Sequence, residues 1–384
     1  MASVGALYVH VPFCVKKCAY CDFVSSATRR DDPCLDTYVA DVSAQIRHAA
    51  KLGLLEACTT AYVGGGTPSL LGAQRLALLL GAIREACPRL VELTCEANPE
   101  SLTNVVLAAL VETGATRLSV GVQSLNDAEL TALGRLHTAE QARDRVRAAV
   151  LTGLDVSVDL MCAIPHQTPE SWDTTLREAL DLGVGHVSVY PLAIEEGTPL
   201  YDVYGDVDVA WNSEDVQAER MEQAQHALEA AGLMRYEVAS YAMPGKECLH
   251  NQAYWTGVEY VGLGHGAASM VGAGTYNAVR ELYGWLPART NKDARRAYRM
   301  RFSTVDREVE FLSEREAWAE DLMLGMRRTC GVELARFAGV EHVLQELVER
   351  GLVGVRGDHA IPTHDGWLLG NELFGALWGL ADDS

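Results

Sequence analysis

The sequence of 384 residues contains no apolar run near the roughly 20 residues that a membrane-spanning helix needs, so no transmembrane segment is expected. Its opening stretch, Met1 to Cys14, lacks the basic start, apolar middle and small-residue cleavage site of a secretory signal. Cations are scarce: 32 Lys and Arg stand against 52 Asp and Glu, a formal net charge of −20. Such a surface repels phosphate backbones and anionic lipid, and no nucleic-acid partner is expected. These absences leave a cytoplasmic chain as the expectation. Ten cysteines are present, but a reduced compartment removes the case for disulfides, and at this length a chain buries enough apolar surface to fold without them.

From residue 7 to about 240, short β-branched runs alternate with longer helical patterns, which predicts repeated βα units and a parallel sheet. Strands are expected at Leu7–Val11, Thr59–Val63, Glu92–Glu96, Arg117–Val122, Val156–Leu160 and His186–Tyr190. Helices are expected at Gln74–Ala86, Val105–Thr113, Ala139–Leu151, Glu170–Leu182 and Glu214–Ala231. Six such units curl into an open, partial (β/α)6 barrel, since the two further units of a closed eight-stranded barrel are not found. The fold class is thus α/β, divided into a barrel over 1–240, a connecting segment over 241–311 without clear periodicity, and a C-terminal unit over 312–384. That last part reads as helices (Glu314–Arg328, Glu333–Ala338, Val340–Arg350), two short strands (Leu352–Arg356, His359–Pro362) and a helix from Trp367, a mainly helical, winged-helix-like order. Winged helices often bind DNA, yet from Leu312 onward there are six Arg and no Lys against 13 acidic residues. A phosphate-binding face is therefore not expected.

Seven cysteines are scattered (Cys34, Cys58, Cys87, Cys95, Cys162, Cys248, Cys330) and are expected to pack as inert thiols. The other three form Cys14-Val-Lys-Lys-Cys18-Ala-Tyr-Cys21, directly after the first strand. Three thiols in one tight loop suit a 4Fe-4S cluster and leave one iron for an external chelator with free amino and carboxylate groups. A zinc knuckle is the competing reading; it lacks a paired fourth ligand, with His10 the one nearby histidine. Tyr20 is placed to shield the cluster from water.

Polar groups recur where a parallel barrel builds its site, at the C-terminal ends of strands. They are the turn Gly64-Gly65-Gly66-Thr67-Pro68-Ser69, whose glycines permit close approach of a ligand, then Glu96, Gln123 and Asp159. Arg135, after the fourth strand, offers a guanidinium fork for a carboxylate.

CxxxCxYC in this setting resembles the radical S-adenosylmethionine superfamily. Over nearly the whole sequence the chain further resembles the oxygen-independent coproporphyrinogen III oxidase family, and within it the heme chaperone branch. The carrying pieces are Tyr8-Val-His-Val-Pro-Phe-Cys14, GGGTPS, EANPE, GVQS, LGRLH and His250-Asn-Gln-Ala-Tyr-Trp255. The resemblance implies cluster ligation by Cys14, Cys18 and Cys21. It also implies S-adenosylmethionine contacts by Tyr8, Gly65, Gly66, Thr67, Glu96, Gln123, Arg135, Asp159 and Ala193.

Two departures set the chain apart from the decarboxylating oxidases: Phe23 stands where those enzymes carry another cysteine, and their long N-terminal extension is missing before Cys14. The HNxxYW segment belongs instead to the chaperone branch, and His250, with Tyr254 and Trp255 beside it, is expected to contact heme through its imidazole. The implied partners are heme, a heme-accepting protein and a reductant for the cluster, and no residue is assigned a catalytic role. A radical enzyme acting on a porphyrinogen side chain is the alternative; an electron-transfer module is disfavoured, because it needs no open iron beside a substrate pocket.

Overall fold

The computed structural model describes residues 3–205, 207, 209–289, 298–337 and 339–381. Six parallel strands form its centre: β1 (Ala6–Val11), β2 (Thr60–Gly65), β3 (Glu92–Ala97), β4 (Arg117–Gln123), β5 (Asp155–Cys162) and β6 (His186–Pro191). They lie side by side in chain order. Helices Gly72–Ala86, Asn104–Glu112, Ala139–Val150 and Pro169–Asp181 return the chain between them, as right-handed crossovers require. The first crossover runs through a helix the periodicity did not disclose, Cys34–Lys51, which buries Val39, Val42 and Ile46.

A strict alternation decides which way each side chain points. In β4, Leu118, Val120 and Val122 enter the main core under the helices, whereas Arg117, Ser119, Gly121 and Gln123 line an interior cavity. The same split separates Val156, Val158 and Leu160 from Ser157, Asp159 and Met161, and Val187 and Val189 from His186, Ser188 and Tyr190. Parallel strands are usually apolar on both faces; one polar face here marks a hollow interior.

The stretch 241–311 adds four strands to the same sheet. β7 (Tyr260–Leu263) pairs in parallel with β1 on the side away from β2, making a seventh parallel strand. β8 (Ala268–Gly272), β9 (Arg299–Ser303) and β10 (Val309–Leu312) continue outward antiparallel. The far edge is finished by Ser240–Ala242 and Met234–Arg235, giving twelve strands in one open sheet. Among the described residues no helix is long and apolar enough to cross a membrane.

The C-terminal residues build a second core from Leu322, Met326, Leu344, Leu347, Leu373 and Leu377. Helices Glu314–Gly325, Glu341–Glu349 and Gly370–Trp378 pack around a three-stranded sheet of Val332–Glu333, His359–Pro362 and Val353–Arg356, in keeping with the winged-helix-like order. The helix expected at Glu333–Ala338 is instead a strand end followed by the 3-10 turn Leu334–Arg336, and Ala338 lies outside the described residues. Buried Glu320 joins this unit to the sheet, accepting from Arg299 and Arg301 of β9 at 2.6 Å each.

Ser313 opens the first of these helices with a reciprocal cap: Glu316 N donates to Ser313 Oγ at 3.2 Å, and Ser313 N donates to Glu316 Oε2 at 2.6 Å. Ser313→Ala should lower stability by about 1 kcal/mol in urea unfolding. An unchanged midpoint would deny the cap an energetic role.

Candidate functional site

The strand ends and the loop after β1 enclose a cavity of about 460 Å³. Cys14, Cys18 and Cys21 border it, together with Gly65, Gly66, Glu96, Gln123, Arg135, Asp159 and Ala193. Among the described residues no three His, Cys, Asp or Glu side chains converge on a single metal-ion position. Three thiols bordering one cavity suit a multi-iron cluster, whose ligands sit on separate irons. The zinc alternative loses its nearest candidate, because both ring nitrogens of His10 are engaged, Nδ1 with Tyr8 Oη at 3.0 Å and Nε2 with Val24 O at 2.8 Å.

A connected set of bonds holds the sulfurs. Thr67 Oγ1 donates to Cys14 Sγ at 3.4 Å and accepts from Asn98 Nδ2 at 3.0 Å. Asn98 Oδ1 accepts from Arg135 Nη2 at 2.7 Å, and Arg135 Nη1 donates to Cys18 Sγ at 3.3 Å. Arg135 Nη2 also reaches Gly121 O at 2.7 Å. A guanidinium bordering the cavity fits an anionic ligand group there. Burial raises the thiol pKa values of Cys14 and Cys21 above the usual value.

The amides of the glycine turn are engaged within the protein. Gly65 N donates to Glu96 Oε2 at 3.0 Å, Gly66 N to Val11 O at 2.8 Å and Thr67 N to Phe13 O at 2.7 Å. Gly65 has φ +108°, and a Cβ on Gly66 would sit 2.7 Å from Phe13 O. These glycines let the turn press against the cysteine loop. Gln123 likewise has φ 66°, next to a register shift between β4 and β5, so a non-glycine residue holds a left-handed conformation at the cavity wall.

Two carboxylates face the cavity from inside the barrel. Tyr62 Oη donates to Glu96 Oε1 at 2.7 Å, and Ser119 Oγ donates to Asp159 Oδ2 at 2.9 Å. Burial raises both pKa values, and that of Glu96 reaches about 7 from an ordinary 4.5. A carboxyl whose folded pKa lies above its unfolded one favours folding most below about 4.5 and loses that contribution as pH rises through 7. The stability of the ligand-free protein relative to Glu96→Gln should therefore rise on acidification from about pH 7.5 to about 5.5 in thermal unfolding. A difference that does not change with pH would contradict the shift.

Three expected contacts lie off the cavity. Tyr8 lines a neighbouring cleft of about 360 Å³ behind the cysteine loop, with His10, Phe23, Tyr254 and Tyr260. Thr67 is buried and acts through Cys14. His250 is 1% exposed, with Nδ1 bonded to Thr60 Oγ1 and Nε2 to Tyr254 Oη, each at 3.0 Å. Its ring stacks on Tyr62 with centroids 5.3 Å apart. Glu92 fixes the helix that carries it, Leu249–Trp255, by accepting from Leu249 N and His250 N at 2.9 Å each. His250 therefore sits at the barrel floor with both ring nitrogens hydrogen-bonded.

Sequence reasoning missed Asn98 and the interior stripe of Thr94, Arg117, Ser119, Ser157, His186 and Ser188. The signal was legible: every second residue of β4, β5 and β6 is polar or glycine through RLSVGVQ, SVD and HVS. Tyr20 borders the cavity. The scattered thiols vary in exposure, since Cys34 and Cys330 are exposed and the other five are buried.

Residues 8–179 match the Radical SAM superfamily. The chain is 32% identical to the heme chaperone HemW of Bacillus subtilis (strain 168), over 97% of this chain and 98% of that protein. It is 34% identical to the heme chaperone HemW of Mycobacterium tuberculosis (strain ATCC 25618 / H37Rv), over 97% of this chain and 94% of that one. Among solved structures, the coproporphyrinogen III oxidase HemN from Escherichia coli aligns with a TM-score of 0.72 at 21% identity, over 99% of this chain and 90% of that chain. At that identity the likeness is one of fold.

Proposed function

The chain belongs to the radical SAM superfamily and, within it, to the family of the heme chaperone HemW, and from that premise we propose that it binds a 4Fe-4S cluster and S-adenosylmethionine in the barrel cavity and holds heme for transfer to an acceptor protein in the cytoplasm. The observation that carries this reading is the single cavity onto which Cys14, Cys18 and Cys21 open together with Glu96, Arg135 and Asp159. When bound, the cluster supplies one-electron chemistry and an iron open to amino and carboxylate groups, and a cellular reductant is a required partner.

The chain's own residues bind, orient and exclude water. Cys14, Cys18 and Cys21 are the ligands, steadied by Thr67 and Arg135. Arg135 places positive charge beside the cavity for a carboxylate. Glu96 and Asp159 accept the cationic and hydroxyl groups of the nucleoside ligand, Gln123 adds an amide at the wall, and Ala193 leaves room where a larger side chain would intrude. The enclosing barrel wall keeps bulk water from these charges, which strengthens each contact.

Phe23 favours the chaperone over decarboxylation: it offers a phenyl ring, 67% exposed, where the oxidases carry a thiol. The expected result is uptake of about one heme per chain, with no conversion of coproporphyrinogen III under anaerobic, reducing conditions with S-adenosylmethionine present. Spectral titration with heme and product analysis after incubation test the two halves separately. Robust porphyrinogen turnover without heme uptake would replace this reading with that of an oxidase.

A further inference from the structure

Thr94 of β3 and Arg117 of β4 line the same cavity as the cysteines. They are Cα partners across adjacent parallel strands, so their side chains stand next to each other on its wall. Arg117 is the first residue of β4 and Gln123 the last, about 20 Å apart at the usual rise per residue. Thr94 is 0% exposed and Arg117 3%. Arg117 Nη1 donates to Lys246 O at 2.8 Å. Among the described residues, Arg117 Nη2 and Thr94 Oγ1 have no hydrogen-bond partner. Polar groups left unpaired away from water are costly, and a guanidinium keeps its charge at any ordinary pH.

The charges around Arg117 are engaged elsewhere. Glu92, at the start of β3, accepts from the backbone of Leu249 and His250. Asp155, its Cα partner on β5, pairs with Lys246. Glu96 accepts from Tyr62 and Gly65 N, Asp159 from Ser119, and Glu100 faces His137. His186 has both nitrogens bonded, to Ser157 and Tyr236, and burial, helped by Arg117, lowers its pKa well below the ordinary value, so it adds no charge. Arg135 is held near the cysteines by Asn98 and Cys18. Lys16, Asp22 and Glu195 are exposed at the mouth.

We infer that the base of the barrel interior is a second ligand site, separate from the one proposed for S-adenosylmethionine, where Arg117 and Thr94 together take the carboxylate of a small, singly charged acid. The donor set selects the class. One guanidinium N–H beside one hydroxyl offers two donors to the two oxygens of a carboxylate, and the charged donor makes the stronger bond. A dianion such as phosphate would bring a second negative charge toward Glu92, Glu96 and Asp159 with only Arg117 to meet it. The site stands on the cavity wall and is independent of the heme reading.

The test is thermal unfolding of the anaerobically reconstituted full-length protein as acetate replaces chloride at constant ionic strength. Acetate should raise the unfolding temperature saturably, as a ligand of the native state does. Thr94→Val keeps the side-chain shape and strands no partner, because the hydroxyl makes no bond in the ligand-free protein. That variant should unfold at the temperature of the unmutated protein or above it, yet bind acetate about fivefold or more weakly. Arg117→Gln should abolish the acetate effect. S-adenosylmethionine, titrated in parallel, should stabilise both variants as it does the unmutated protein. The site is overturned by the lack of a saturable rise in the unmutated protein, or by an equal rise in Thr94→Val. It is overturned as well if Thr94→Val without acetate unfolds several degrees lower, since the hydroxyl would then be bonded within the fold. An equal rise with phosphate overturns the carboxylate assignment. Failure of S-adenosylmethionine to stabilise the unmutated protein counts against the cofactor reading alone and leaves the acetate result to decide the site.

Discussion

Cys18→Ala should lose most of its iron and the visible absorbance of the cluster after anaerobic reconstitution, and Cys14→Ala and Cys21→Ala should behave alike. Three thiolates are the whole protein ligand set in the proposed site, so removing one leaves two irons of four without a protein ligand and opens the cluster to solvent. The informative control is Cys248. It is a fourth thiol bordering the cavity, but it is buried on the floor at the start of the helix that Glu92 caps. Cys248→Ser should keep its iron. Iron counts per folded chain decide the matter, and full loading of Cys18→Ala would remove the foundation of the site.

The second large effect is on stability. His250→Ala should cost roughly 3 kcal/mol or more, because it strands the buried hydroxyls of Thr60 and Tyr254 and leaves a void under Tyr62. Burial depresses the His250 pKa to about 3. The group therefore contributes stability above its unfolded value near 6.5 and loses it as pH falls toward 3. The gap between unmutated protein and variant should narrow across that acid range in urea titrations. Those variant molecules that remain folded should still take up heme. Unchanged stability combined with lost heme binding would assign His250 the heme contact expected from the sequence.

Much of the barrel was legible because its strands carry two messages at once. Apolar residues at alternate positions, such as Leu118, Val120 and Val122, specify the buried face, and the glycine and proline turns set the ends. All six parallel strands fall within two residues of their expected bounds. β7 escaped because Tyr260–Leu263 is four residues long and includes a glycine, too short for any period to show. The cysteines announced themselves through spacing alone. Thr67 and Asn98 did not, since their roles depend on contacts between elements more than 25 residues apart in the chain. The same holds for His250: a histidine among aromatics reads identically whether it faces a ligand or fills a floor, and its bond to Thr60, 190 residues away, is not visible in the sequence.

The position of β1 has a consequence for the order in which the chain is made. Its neighbours on the two sides are β2, at residues 60–65, and β7, at residues 260–263. Synthesis proceeds at about 5–20 residues per second, so the second neighbour leaves the ribosome on the order of tens of seconds after the first. A β1–β2 pair formed during synthesis would stay unpaired on its other edge throughout that interval, so iron delivered then would meet the thiols on a barrel wall open on the β1 side.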